Sequence, residues 1–96
     1  MKKTFRLTAP NQDDARVRDK IRHEVNKYVK RERRKELPEG YFRWDFNCRI
    51  GPVEASATSL PLDQVAMAID RVASEGAETV YVEILVAARK RSSSAE

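Results

Sequence analysis

The stretch YFRWDFNCRI, residues 41–50, alternates Phe42, Trp44, Phe46, Cys48 and Ile50 with Arg43, Asp45, Asn47 and Arg49. A period of two held over nine residues predicts a β-strand with one apolar and one wetted face. Gly51 and Pro52 follow as a turn. Val53, Ala55 and Ala57, alternating with Glu54, Ser56 and Thr58, predict the returning strand of a hairpin. The small residues Ala55 and Ala57 on that strand would let a helix approach where Trp44 and Phe46 supply bulk.

Working outward, residues 5–7 begin a short strand that stops before Pro10. Asp13 and Asp14 suit a helix N-terminus, capping free N–H groups and complementing the helix dipole. Val17, Ile21, Val25, Tyr28 and Val29 then recur at spacings of three and four, one stripe of a helix that Leu37, Pro38 and Gly40 end. After the hairpin, Pro61 opens a second helix, with Leu62, Val65, Ala66, Ile69, Val72 and Ala73 on one face and Gly76 as its stop. Residues 79–87 form the last strand, with Val80, Val82, Ile84 and Val86 inward.

This order implies an α+β fold, the ferredoxin-like βαββαβ sandwich: a four-stranded antiparallel sheet, spatial order 4-1-3-2, with two helices on one face. A different four-stranded topology built from the same elements is the alternative. A chain of 96 residues suits a single domain over residues 1–88, followed by a basic, serine-rich tail at 89–96 that is expected to be disordered.

Charge is segregated. Residues 16–36 hold ten Lys or Arg against four Asp or Glu, a net of +6, whereas the chain totals +4, so the remainder sums to −2. At 100° per residue, Arg16, Lys20, His23, Lys27, Lys30, Arg31 and Arg34 fall within about 100° of one another, with no acid among them. They form a ridge roughly 27 Å long at 1.5 Å per residue. Cations one helical turn apart can track a phosphate backbone, so Arg16, Lys20, Lys27, Lys30, Arg31 and Arg34 are candidate nucleic-acid-binding residues, with Arg33 and Lys35 extending the positive field. The plainer alternative is a solvated helix face, steadied by pairs such as Glu24 with Lys27 and Glu32 with Lys35. The apolar stripe stops at Val29, so residues 30–36 are expected either to overhang the sheet or to be covered by a partner.

On the uncovered sheet face, the sequence places Arg6, Arg43, Asp45, Asn47, Arg49, Glu54, Tyr81, Glu83 and Leu85. Its central strands carry no aromatic residue for base stacking, and pairs such as Arg6 with Glu83, or Arg49 with Glu54, would hold it. Tyr81 and Leu85 near an edge are candidates for a homodimer contact, so a protein-interaction or homodimerisation module is the alternative function.

Catalysis is not indicated. His23 has no carboxylate or serine constellation around it, and Cys48 and His23 give no metal-ligand spacing. Gly40, Gly51 and Gly76 mark element boundaries rather than a phosphate loop. No cofactor or metal is expected. Cys48 reads as a small buried hydrophobe on a strand, and a lone cysteine fits a cytoplasmic protein. No apolar run approaches the roughly 20 residues needed to span a bilayer, and the basic start at residues 1–5, with no apolar stretch after it, is not expected to act as a secretory signal.

The segment HEVNKYVKRERRKELPEGYFRWDFNC at residues 23–48, together with YVEIL at 81–85, resembles a family of small uncharacterised bacterial proteins, a domain of unknown function. The joint pattern of RERRK, LPEG and WDF carries the resemblance. It implies a bacterial cytoplasmic origin and supplies no activity, cofactor or site residue.

Overall fold

A computed structural model describes residues 1–90; the tail expected at 89–96 lies outside the described residues from position 91 onward, and Arg89 belongs to a strand. Strand β1 (Lys2–Arg6) leads to helix α1 (Asp14–Arg33), then strands β2 (Arg43–Gly51) and β3 (Thr58–Leu60), helix α2 (Val65–Ser74) and strand β4 (Thr79–Arg89). All strand pairs are antiparallel. The expected α+β class holds, with βαββαβ order, four antiparallel strands and two helices, a ferredoxin-like arrangement.

The spatial order differs from 4-1-3-2. It is β1-β4-β2-β3, so β4 and β2 are central and β1 is an edge. The reason is visible strand by strand. Only Phe5 of β1 is buried, whereas five consecutive residues of β4, from Val80 through Ile84, are buried on both faces. A strand that buries both faces belongs in the middle, and one rich in lysine suits an edge.

Both helices pack on one face. Val17, Ile21, Val25 and Val29 of α1 join Val65, Ala68, Ile69 and Val72 of α2 over Phe46, Cys48, Ile50, Val80, Val82 and Ile84. Asp13 caps α1: its carboxylate accepts the Arg16 N–H at 2.9 Å, satisfying a donor that the first turn leaves free.

The hairpin also departs from expectation. Residues 54–56 form a 3-10 turn, and β3 comes later, with only three residues. Ser56 fixes that turn, its hydroxyl donating to the Val53 carbonyl at 3.2 Å. Close approach falls at Gly51 rather than at the alanines, since a Cβ there would lie 2.8 Å from the Ala57 Cα and from the Ser56 carbonyl oxygen. The second helix likewise starts with a 3-10 turn, Leu62–Gln64, before α2 proper.

Candidate functional site

Helix α1 sorts its cations by side. Toward α2, Arg18 and Arg22 reach Asp70 at 3.3 and 2.6 Å, and Arg22 also pairs with Asp19. The charges of Arg18 and Arg22 on that flank are therefore balanced.

On the outward flank, toward β1, the candidates Arg16, Lys20, Lys27, Lys30, Arg31 and Arg34 are all exposed, as is His23. The first five lie within α1, and Arg34 is its C-cap, with near-helical angles (φ −81°, ψ −13°) that continue the row. Among the described residues, Arg16, Lys20, Lys27, Lys30 and Arg34 have no ion-pair partner. Arg31 stands 3.7 Å from Glu32 and over the Tyr28 ring, and two thirds of its side chain remains exposed.

The acids bordering the row are engaged elsewhere. Asp19 serves Arg22, and Glu24 accepts from Lys3 of β1 at 3.3 Å rather than pairing with Lys27 as the helical spacing suggested. Both neutralising partners come from outside the row, so apart from Arg31 beside Glu32 its cations meet no acid at close range among the described residues.

The C-terminal end of α1 does not overhang. Trp44 of β2 donates its indole N–H to the Lys35 carbonyl at 2.9 Å, and the Arg33 guanidinium lies over the Phe46 ring, 5.3 Å from its centroid. Glu32 is buried, held by Lys35 at 2.9 Å, and that hydrogen bond sets its carboxyl below the usual range. A charged side chain thus continues the inward stripe after Val29, and the basic residues 33 and 35 act within the fold.

The uncovered sheet face holds a buried polar group. Tyr81 and Glu83 are both buried, the Tyr81 hydroxyl donating to Glu83 at 2.8 Å and Arg49 donating to the same oxygen at 3.1 Å. Arg49 also reaches the Glu54 and Ala57 carbonyls at 3.4 and 3.3 Å, fastening the hairpin loop across the sheet. The expected pair of Arg49 with Glu54 is thus made to the backbone, and Glu83 pairs with Arg49 rather than Arg6. Burial first, and then the bond to Glu83, pushes the Tyr81 hydroxyl up to about 12. Tyr81 is buried, bonded to Glu83 and neighboured by Arg49, so of the two residues considered for a homodimer contact only Leu85 is exposed.

Cys48 is buried on β2, and burial pushes its thiol up, which makes it a core residue rather than a nucleophile. No group of three or more His, Cys, Asp or Glu among the described residues is placed to hold a metal ion. No helix among them is long and apolar enough to cross a membrane.

Sequence reasoning found the row but missed what lies beside it. Between the row and β1 runs a groove of about 850 Å³, its wall formed by the loop joining β1 to α1. Neither the groove, nor Lys3 as the partner of Glu24, nor Asp70 as the partner of Arg22, could be read from helical spacing, because these pairs join positions separated by 21 and 48 residues.

No curated protein and no solved structure matches the chain. Residues 1–95 match the model of a family described as a family of unknown function (DUF6172), and with nearly the whole length matched, the chain belongs to that family.

Proposed function

We propose that this chain is a non-enzymatic, cytoplasmic domain that binds the phosphate backbone of nucleic acid along α1, with Arg16, Lys20, Lys27, Lys30, Arg31 and Arg34 as the contacting cations. The observation that carries this reading is the division of charge on α1. Arg18 and Arg22, toward α2, are paired with Asp19 and Asp70, whereas among the described residues Arg16, Lys20, Lys27, Lys30 and Arg34 of the outward row have no ion partner and Arg31 keeps two thirds of its side chain exposed beside Glu32. An ordinary solvated face intersperses its signs, and this one does not. The contacts would be to phosphates, so binding is expected to be tolerant of sequence.

Fluorescence anisotropy with labelled RNA and DNA at low salt tests the proposal. Binding that weakens when Lys27, Arg31 and Arg34 are changed together to Glu supports it. Sub-micromolar binding indifferent to that reversal sinks the assignment to α1. The alternative, homodimerisation, retains only the exposed Leu85 of its two residues, and a monomeric mass at high concentration would remove it.

A further inference from the structure

The groove beside the basic row combines three features that a bare phosphate-binding surface does not need. Its floor is apolar and buried, made by Phe5 of β1 with Val17 and Ile21 of α1. Its wall is a preformed turn: the Gln12 N–H returns to the Ala9 carbonyl at 3.3 Å, Pro10 fixes the first corner, and Asn11 takes the left-handed conformation at φ 63° that such a turn requires. Its lip is the first half of the basic row, Arg16, Lys20 and His23. The volume, about 850 Å³, lies within the roughly 300–1,000 Å³ usual for small-ligand sites.

Charge tells this groove apart from the other large one on the helical face. Between α1 and α2 a groove of about 560 Å³ is lined by Arg22, Arg33 and Asp63, but Arg22 is committed to Asp70 and Arg33 lies over Phe46. In the groove beside β1, Arg16 and Lys20 are exposed with no ion partner among the described residues, and the acids on its rim, Asp19 and Glu24, are taken by Arg22 and Lys3. An occupant matching this site has a flat apolar body and a negative charge at its edge.

Resting on the phosphate-binding reading, we propose that the groove receives a nucleobase, so that the ligand is single-stranded nucleic acid, one base lying over Phe5, Val17 and Pro10 while its flanking phosphates meet Arg16 and Lys20. A duplex keeps its bases stacked inside and offers only the phosphates, whereas a single strand can turn one base into an apolar slot beside the backbone it presents to the row.

The test compares a short labelled oligothymidylate with an abasic strand of the same length and charge. The intact strand is expected to bind about ten-fold more tightly, as burying one base against the apolar floor would give. Thr8 is exposed on the groove, so Thr8→Leu fills it from a position that does not hold the core. This variant is expected to bring the intact strand down to abasic affinity while leaving the abasic strand unchanged. Equal affinity for both strands, with both lost on reversing Lys27, Arg31 and Arg34, would overturn the base site and leave the phosphate contacts standing. No binding to either strand at low salt would remove the basic row as a binding surface, and the groove proposal with it.

Discussion

Glu24 of α1 receives the Lys3 ammonium of β1 on both carboxylate oxygens, each at 3.3 Å. The contact occupies, from a different element, an acid that would otherwise sit against the basic row. Its value to the fold is small, since both side chains are about half exposed and such pairs contribute less than about 1 kcal/mol. Glu24→Gln is therefore expected to leave thermal unfolding nearly unchanged and to raise affinity for a nucleic-acid probe roughly two-fold at low salt, the size of one screened charge several ångströms away. Anisotropy titrations of the two proteins side by side check both halves.

Trp44 holds the end of α1 by one hydrogen bond to the Lys35 carbonyl. Trp44→Phe keeps most of the ring and removes the donor, so a loss of about 0.5–1.5 kcal/mol is expected in urea unfolding. Faster amide exchange in the last turn of α1 should accompany it, and the rest of the sheet should be unaffected.

Gly51 is required by space. The nearest atoms to an added Cβ belong to the backbone of Ser56 and Ala57, which cannot rotate away as a side chain can. Gly51→Ala is expected to cost about 1–3 kcal/mol, the usual range for an overpacked site. A substitution without effect would mean that the loop crosses the sheet less closely than described.

The buried pair on the sheet face sets a pH dependence at both ends. Hydrogen bonding from Tyr81, outweighing the upward pull of burial and aided by Arg49, holds the Glu83 carboxyl below the usual range. A depressed carboxylate stabilises the fold at pH above its unfolded value near 4.5, and that contribution fades as pH falls through the folded value. Tyr81 shifts the other way, from 10 to about 12, so its contribution is complete below pH 10 and is lost as pH rises toward 12. Denaturant midpoints measured across pH should fall at both limits. Tyr81→Phe should flatten the alkaline limb and weaken the acid one.

Much of the fold was legible in the sequence, because alternation in β2 and β4 and helical spacing in α1 and α2 are local signals. Strand order was not, since either order turns the same residues toward the helices. The discriminating sign was there, in a β4 buried on both faces and a lysine-rich β1, but Glu83 disguises β4 as half-exposed. It is buried only because Arg49 and Tyr81 meet it from within the sheet. The third strand was misplaced because alternating alanines imitate a strand, whereas Gly51 and Ser56 bend the chain first. The basic row was readable from helix geometry alone. That Glu24 on its border is held by Lys3 was not, because spacing along α1 does not reveal a partner on β1.

The measurement that bears most directly on the central claim is the salt dependence of nucleic-acid affinity for the unmodified chain and for the variant with Lys27, Arg31 and Arg34 changed to Glu. With four to six phosphates contacted, a plot of log affinity against log salt should have a slope of roughly −3 to −5, and the variant should lose most of both the affinity and the slope. Tight binding with the same slope in both proteins would contradict the assignment of phosphate contacts to α1.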